Sequence, residues 1–444
     1  MSSKTPSEIL IAVIDTTGHP DDVPPEAVVG GLTLLERALR LAEVGGFDRI
    51  IVLSRSSSHP EIGALIGHHQ ARLPIDNIAA PSLQMADRVR AVARAISETE
   101  AGISTRIVWY SSSTVYERRL LSAAQRTTPG TIARASASKT GLVRDLAGFS
   151  PEAWQIIVSE VIDDENPTSI DELVDGAARR GIDVRVHDED GWTVPIEGKS
   201  DALRAVDSLW QSCRKDADGI VSRHINRHIS LGISRRIAHT GITPNHISIF
   251  TFSLGILAAV IAAVGGYWAF LIAGLIYQIN SVVDGVDGEL ARVKYEFSLV
   301  GEWLDTLSDD FSDLFIYIGL GIGAWRTVDF PMESIGPEIW LMLGGLAAVG
   351  KVVSMVLYYR WLIAHKRGDL LAFQWSFEDE SDTEPSALTR ALQSTKYLFK
   401  KDFIVFAAML LGIVGALPWL LVALGPGNLI VAVSVALQST PDKG

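Results

Sequence analysis

The chain has 444 residues, of which 48% are hydrophobic, and carries a formal net charge of −13. This length has room for two or three domains. The negative charge argues against nucleic acid as a partner, because phosphate backbones are bound by basic surfaces. The only cysteine, Cys213, excludes an intramolecular disulfide.

Short apolar runs alternate with helical patterns over the first two hundred residues. The N-terminus is predicted to be a buried strand rather than a signal peptide, because its apolar core is only six residues long. Strands are predicted at 9–14, 49–53, 107–110, 154–161 and 184–187, and helices at 32–44, 87–99 and 115–126. This alternation predicts an α/β domain over residues 1–200, with a parallel sheet covered on both faces.

Residues 30–53 of this domain, which begin GGLTLLERALR and end GFDRIIVL, resemble the nucleotidyltransferase (sugar-phosphate cytidylyltransferase-like) fold. In that family a glycine-rich loop after the first strand holds nucleotide phosphates, helped by an arginine and a lysine. Here the loop after Ile14 reads DTTGHPDDVPP, without a basic residue, and serines follow Tyr110 where the family has a metal-binding aspartate. We interpret the domain as a retained fold with lost or altered chemistry. The alternative is an active cytidylyltransferase that supplies the second domain's substrate.

A basic amphipathic segment follows within residues 201–244. Arginines alternate with isoleucines at helical spacing over 220–238, which predicts a helix in the membrane interface. Contact with anionic lipid would anchor this helix on the cytoplasmic side. Its arginines are Arg223, Arg227, Arg235 and Arg236.

Six apolar runs occupy residues 245–444 and predict an all-α domain of six transmembrane helices. The runs are 246–264, 267–283, 299–325, 339–362, 403–417 and 420–437. Lysine and arginine are concentrated in alternate connections, which predicts that both termini and the N-terminal domain are cytoplasmic. The chain is therefore expected to be a multi-pass protein of the cell inner or plasma membrane. The acidic stretch at 378–384 is predicted to be a mobile, solvated loop.

Two aspartates directly follow the second apolar run, and two more lie near the start of the third. Asp284 and Asp287 are three residues apart, and Asp305 and Asp309 are four apart, so each pair shares a helix face. We expect Gly288 to end the first helix and an antiparallel partner to bring the two acidic faces together. Converging carboxylates require cations, and hard oxygen ligands favour Mg²⁺, Mn²⁺ or Ca²⁺ over zinc. Two such ions would suit phosphoryl transfer.

The same stretch fills every position of a signature, D-x2-D-G-x2-A-R-x8-G-x3-D-x3-D, so the chain resembles the CDP-alcohol phosphotransferases, which are six-helix membrane enzymes. The resemblance implies that all four aspartates bind two Mg²⁺ or Mn²⁺ ions and that Asp309 is also the catalytic base. It further implies a CDP pocket, to which Asn245 would add a contact unless that residue caps its helix. The pocket residues are Gly288, Ala291, Arg292 and Gly301.

The implied reaction transfers the substituted phosphate of a CDP-alcohol to an acceptor alcohol and releases CMP. The fused first domain resembles two-domain enzymes that make inositol-phosphate diesters, so the leading acceptor is an inositol phosphate-like polyol, with a lipid also open. The alternatives are a phospholipid synthase using CDP-diacylglycerol, a bifunctional enzyme with an active cytidylyltransferase, and a non-catalytic nucleotide-sensing membrane scaffold. A homodimer is kept open as a partner.

Lys351 lies deep within the fourth apolar run, at a depth similar to that of Asp313. Ionisable groups at this depth are costly unless they are paired. We predict that the two residues form an ion pair, and the alternative is that Lys351 binds a phosphate of the acceptor.

Overall fold

The computed structural model describes residues 8–17, 24–55, 60–68, 73–80, 84–99, 104–162, 167–214, 218–332, 334–364 and 400–438. The chain divides into two compact units, 1–211 and 212–444, and each is described by itself. The predicted acidic loop at 378–384 lies outside the described residues.

The first unit is built on a mixed sheet in which most neighbouring strands are parallel. The strands of this unit are β1 (Glu8–Asp15), β2 (Val28–Val29), β3 (Leu32–Thr33), β4 (Arg49–Ser54), β5 (Ile75–Ala79), β6 (Ser104–Ser111), β7 (Thr114–Tyr116), β8 (Thr131–Ala137), β9 (Gly141–Leu142), β10 (Leu146–Phe149), β11 (Asp183–Glu189) and β12 (Thr193–Pro195). The strand order of the sheet is β11-β8-β10-β6-β1-β4-β5, and β10 is antiparallel to both of its neighbours.

Helices pack on this sheet, so the predicted α/β class is confirmed. They are α1 (Leu34–Gly45), α2 (Pro60–His68), α3 (Met85–Thr99), α4 (Arg118–Ala124), α5 (Pro151–Ile156), α6 (Ile170–Arg179) and α7 (Lys199–Gln211). The predicted helix at 115–126 is shorter than expected, because its first residues form β7 and Glu117 caps α4.

The strand predicted at 154–161 is wrong, since these residues form α5 and a π-helical turn, Ile157–Val161. Ser150 caps the helix by accepting a hydrogen bond from Ala153 N, and Pro151 occupies the first turn. Both are strong helix-start signals. Trp154, Ile157 and Val161 are all buried at helical spacing, a pattern that a short apolar run shares with a buried strand.

The second unit is entirely helical where it is described. A π-helical turn (Ser222–Asn226) leads into α8 (Arg227–Ile237). The long helices then follow in chain order: α9 (Pro244–Val264), α10 (Tyr267–Lys294), α11 (Leu299–Thr327), α12 (Glu338–Ala364), α13 (Lys401–Ile413) and α14 (Leu420–Gln438).

Each predicted apolar run thus corresponds to a helix, but among the described residues only α9, α10 and α12 are long and apolar enough to cross a membrane by length and composition. Helix α11 is long but carries five acidic residues in its first fifteen positions, and α13 has only 13 residues. Six spanning helices are therefore not confirmed.

Helices α9 and α11 approach each other closely through glycine. A Cβ atom at Gly319 would lie 2.3 Å from the carbonyl oxygen of Ala259, and one at Gly323 would lie 1.9 Å from that of Ala262. No side chain fits at these two positions, and small residues are what allow apolar helices to pack backbone to backbone. This packing fixes α9 beside the helix that carries Asp305 and Asp309.

Candidate metal centre

Three of the four predicted aspartates come together between α10 and α11. One carboxylate oxygen from each of Asp284, Asp287 and Asp305 lies within 4.8 Å of the others. The helical spacing explains how Asp284 and Asp287 share a face, and the antiparallel turn of the chain brings Asp305 opposite them. These three residues are called the carboxylate cluster below.

The turn between these helices is tighter than predicted. Helix α10 does not end at Gly288 but continues to Lys294, because a single glycine is tolerated inside a long, packed helix. Tyr295 ends it in the left-handed conformation, with φ of 52°, and Ser298 caps α11 by accepting a hydrogen bond from Gly301 N at 2.9 Å. The connection is therefore four residues long rather than ten.

The residues of the carboxylate cluster fit a divalent cation. Carboxylate oxygens are hard ligands of the kind that Mg²⁺, Mn²⁺ and Ca²⁺ prefer. Asp287 is buried, and its Oδ2 accepts a hydrogen bond of 2.6 Å from Ser248 Oγ of α9. Such a contact fixes the orientation of a ligating carboxylate. Sequence reasoning missed Ser248, which lies within the first apolar run and carries no motif.

Asp309 is placed differently from the other three aspartates. It lies one turn after Asp305 on α11, outside the group of oxygens described above, and its Oδ1 pairs with Lys401 Nζ of α13 at 2.7 Å. The sequence signature gives no indication of Lys401, because that residue comes almost a hundred positions later, at the start of the fifth apolar run.

Asn245 and Gly301 meet across α9 and α11. A Cβ atom at Gly301 would lie 3.0 Å from Asn245 Oδ1 and 2.9 Å from Ser298 Oγ, so glycine keeps the space beside this amide open. The helix cap of α9 is made by other residues: Thr243 and His246 form a capping box. The alternative that Asn245 is the cap is therefore wrong.

Arg292 lies beside Gly288 on α10. Its Nη2 would be 3.6 Å from a Cβ atom at Gly288, and its Nη1 donates a hydrogen bond of 3.4 Å to the carbonyl oxygen of Cys213. Ala291 directly precedes Arg292 in the sequence and is half-buried on the same helix.

The predicted ion pair between Lys351 and Asp313 is confirmed. Lys351 Nζ lies 3.0 Å from Asp313 Oδ2 and 2.8 Å from Asp310 Oδ1. The sequence analysis missed Asp310, whose Oδ2 also accepts hydrogen bonds from Tyr358 and, at 2.7 Å, from Tyr359. Tyr277 donates to Asp313 at 2.6 Å, and Lys401 Nζ lies 3.7 Å from Asp313 Oδ1. The half-buried Lys351 thus neutralises two buried carboxylates, with Lys401 as a second cation near Asp313 and tyrosines as hydrogen-bond donors.

In the first unit, the end of β1 holds a different arrangement. Asp15 Oδ2 pairs with Arg88 Nη1 of α3 at 2.6 Å, and Asp15 Oδ1 accepts hydrogen bonds from the backbone and hydroxyl of Thr17. Ser111, the last residue of β6, and Ser113 form a hydrogen bond of 2.8 Å between their hydroxyl groups. Burial, and then the charges of Asp171 and Asp15, raise the pKa of the nearby Asp145 above its usual range. Most of the predicted loop after Ile14 lies at residues 18–23, outside the described part of the chain.

Comparison with known proteins relates the second unit to one family. A profile of the family described as CDP-alcohol phosphatidyltransferase matches residues 241–436. A "Bifunctional IPC transferase and DIPP synthase" from Thermococcus kodakarensis is 32% identical over 199 residues, which are 44% of this chain and 42% of the relative. A relative of the same name from Rubrobacter xylanophilus is 27% identical over 340 residues, covering 68% of this chain and 73% of the relative.

The match to the Thermococcus relative thus spans less than half of that protein's length. An "Archaetidylinositol phosphate synthase" from Pyrococcus horikoshii is 34% identical over 95 residues, which are 20% of this chain and 47% of the relative. Among solved structures, the inositol-1-phosphate CTP transferase from T. maritima overlaps 45% of this chain and 95% of its own, with a TM-score of 0.36 and 12% identity. Residues 241–436, which make up most of the second unit, therefore form a domain that matches the CDP-alcohol phosphatidyltransferase family.

Proposed function

We propose that the second unit is an integral membrane CDP-alcohol phosphotransferase, which transfers the substituted phosphate of a CDP-alcohol to an acceptor alcohol and releases CMP. The observation that carries this proposal is the carboxylate cluster: three acidic side chains from two helices converge within 4.8 Å inside the region that matches the family. Acidic residues are energetically costly among apolar helices unless they are paired with a cation or bind one.

Asp284, Asp287 and Asp305 would hold the metal, and Asp309 completes the set that we assign to two Mg²⁺ or Mn²⁺ ions. When bound, such ions neutralise phosphate charge and stabilise the leaving oxygen. The four carboxylates would hold these ions between α10 and α11, and Ser248 would hold Asp287 in its orientation.

The cytidine diphosphate would lie beside Gly288, Ala291 and Gly301, where short side chains leave room near the backbone. Arg292 would face a phosphate, because its guanidinium offers several donors in a fixed plane. Asn245 would contact the nucleotide at Gly301, beside which its Oδ1 lies.

Asp309 would accept the proton of the acceptor hydroxyl. The hydroxyl oxygen forms a bond to the β-phosphorus, the bond from that phosphorus to the oxygen of CMP breaks, and the proton passes to Asp309. Lys401, 2.7 Å away, would hold this carboxylate beside the cluster while the acceptor enters.

The names of the relatives support one class of acceptor. Their names include an archaetidylinositol phosphate synthase, which supports an inositol phosphate-like polyol as acceptor. A phospholipid synthase using CDP-diacylglycerol is the alternative. Assays with CDP-diacylglycerol and with other CDP-alcohols as donors would separate the two.

A second candidate function concerns the first unit. One relative named "Bifunctional IPC transferase and DIPP synthase" matches 68% of this chain. This match is longer than residues 212–444, so it extends into the first unit. These names favour a bifunctional enzyme, whose first unit makes the CDP-alcohol from CTP, over our interpretation of that unit as degenerate. Pyrophosphate release from CTP and an alcohol phosphate by the full chain would test it.

We further propose six spanning helices, with residues 1–200 as a domain on the cytoplasmic side of the cell membrane, 201–244 as a linker and 245–444 as the membrane domain. The three helices that meet the length and composition of a span and the exposed Arg223, Arg235 and Arg236 beside them support this topology. Labelling of single cysteines placed in the alternate connections would test the topology, and the mass of the detergent-solubilised protein would test a homodimer.

The test of the catalytic proposal is CMP release. The full chain with Mg²⁺ and a CDP-alcohol plus acceptor should release CMP, and chelation of Mg²⁺ should stop the reaction. Binding of nucleotide without CMP release from any donor would instead support a non-catalytic nucleotide-sensing scaffold.

A further inference from the structure

The segment before α9 contacts the side of α10 that faces away from the carboxylate cluster. With 3.6 residues per turn, Glu289 points about 140° away from Asp284 and about 160° away from Asp287 around the helix axis. Glu289 is completely buried, although a lone acidic side chain would be costly in such a place. None of the roles assigned above to the signature uses it.

Three donors from α8 satisfy this carboxylate. Its Oε1 accepts from Arg227 Nη1 at 2.8 Å and from Ser230 Oγ at 2.6 Å, and its Oε2 accepts from Ser234 Oγ at 2.6 Å. Arg227 is itself held at 2.9 Å by two bonds to Asp218. Arg227 is therefore not available for the lipid contact predicted for the arginines of this segment, whereas Arg223, Arg235 and Arg236 are exposed.

Further contacts join the same segment to α10 before and after Glu289. Three turns earlier and on the same side of the helix, Gln278 Nε2 donates to Asn226 Oδ1 at 2.9 Å. At the end of the helix, about 140° around the axis from Glu289, Lys294 Nζ donates to the carbonyl oxygens of Thr240 at 2.9 Å and Ile242 at 3.0 Å. One continuous segment, residues 226–242, thus binds α10 on the side of Glu289 and also at its C-terminal end.

This arrangement resists rotation of α10. Like charges in the carboxylate cluster repel each other, so before a cation binds they favour a turn of the helix that separates them. A metal site tolerates only about 0.5 Å of displacement of its ligands. A helix packed against apolar surfaces alone has little to oppose such a rotation, whereas the bonds to Glu289 are directional and would all break together.

We propose that Glu289 is a positioning residue: its bonds to Arg227, Ser230 and Ser234 fix the rotation of α10 and so keep Asp284 and Asp287 aimed at Asp305. This inference rests on the proposed function, because it assumes that the carboxylate cluster binds a divalent cation. The site would then depend on contacts at the opposite side of α10, made by a segment that precedes the family signature by some fifty residues.

The test is Mn²⁺ binding to the full-length protein in detergent, measured by electron paramagnetic resonance without substrate. We expect Glu289→Ala to weaken Mn²⁺ binding about 10–100-fold, as loss of a residue that orients a ligand typically does. Glu289→Gln should stay close to wild type, since its oxygen can still accept from Arg227 and Ser230 while its amide donates to Ser234. Ser234→Ala, which removes one donor, serves as a milder variant if Glu289→Ala does not fold.

Asn428→Ala is the matched control. Asn428 Nδ2 donates to the carbonyl oxygen of Ala347 at 3.1 Å between α14 and α12, away from α10, so its loss should lower the unfolding temperature without changing Mn²⁺ affinity. Wild-type Mn²⁺ affinity in both Glu289→Ala and Ser234→Ala would overturn the positioning role. A wild type that binds Mn²⁺ but releases no CMP would contradict the proposed function and leave the same binding series to decide the role of Glu289.

Discussion

Each of the two units of this chain holds a buried aspartate on a central element, and the two aspartates are satisfied in different ways. In the first unit, Asp15 at the end of β1 is neutralised by the guanidinium of Arg88 at 2.6 Å. In the second unit, Asp287 faces two further carboxylates within 4.8 Å, and it accepts a hydrogen bond from the neutral Ser248 of α9. One aspartate has a cation supplied by the protein, and the other lies in a cluster suited to an external one.

This difference separates a structural acidic residue from a functional one. A buried carboxylate must find a positive partner or several donors, so burial alone does not identify a site. What distinguishes the carboxylate cluster is that acidic groups are brought together although they repel each other. The same contrast recurs within the second unit, where Lys351 neutralises Asp310 and Asp313.

The largest expected effect is at the carboxylate cluster. We expect Asp287→Asn to reduce CMP release by roughly 10³-fold or more, because metal stabilisation of the transition state is worth several kcal/mol and each 1.4 kcal/mol is tenfold in rate. The assay is steady-state CMP release by the full chain. Asp15→Asn is the matched control, and equal losses in the two variants would break the contrast between the units.

The next effect concerns Asp309. A positioned general base contributes ~10²–10⁴ in rate, so Asp309→Asn should lower CMP release at least about 100-fold while CDP-alcohol binding, measured by equilibrium dialysis, is largely retained. Full activity in this variant would refute the role of Asp309 as the base.

Removal of Lys351 should destabilise the second unit. Lys351→Ala leaves Asp310 and Asp313 buried without their shared cation, for which we expect a loss of about 5 kcal/mol, at the upper end for a broken buried pair. Thermal unfolding in detergent measures this loss. If the effects of Lys351→Ala and Asp313→Asn simply add in the double variant, the ion pair contributes nothing.

A smaller loss is expected in the first unit. Arg88→Ala strips the cation from a single carboxylate, so the free energy of unfolding should fall by about 3 kcal/mol, at the lower end of the same range. Chemical unfolding followed by the fluorescence of the buried Trp109 would report it. An additional Asp15→Asn substitution should recover part of the loss, and no recovery would mean that Arg88 stabilises the unit by other contacts.

The smallest effect is chemical. Burial raises the pKa of Cys213 to about 12, against the opposing effect of Arg292. The thiol stays protonated below that pH, and only the thiolate reacts readily. Iodoacetamide at pH 8 should therefore leave the folded protein unlabelled and modify one thiol after denaturation. Rapid labelling of the folded protein would show that the segment around Cys213 is open.

The sequence predicted what depends on periodicity and on local signals. The strands at 9–14, 49–53 and 107–110 were identifiable from buried apolar runs, and the shared face of Asp284 and Asp287 from helical spacing. The residues 154–161 were not, because a short apolar run fits a buried strand and a buried helix equally, and here the helix start at Ser150 decided the outcome.

Contacts that join distant parts of the chain could be predicted only in part. Lys351 and Asp313 were paired because two ionisable groups at similar depth must compensate each other. Lys401, Ser248 and Arg227 were not assigned to their partners, because the contact of each depends on how helices are arranged around α10 and α11. The end of α10 was also predicted wrongly, because glycine is typical of helix ends, whereas Gly288 lies inside this helix.

The most direct test of the central claim is CMP release by the purified full chain with Mg²⁺ and a panel of CDP-alcohols, each offered with polyol phosphates and lipid acceptors. We predict CMP release with at least one pair, dependence on Mg²⁺, and loss of the activity in Asp287→Asn but not in Asp15→Asn. CMP release that persists in Asp287→Asn, or that is absent with every pair, would contradict the assignment of the chemistry to the carboxylate cluster.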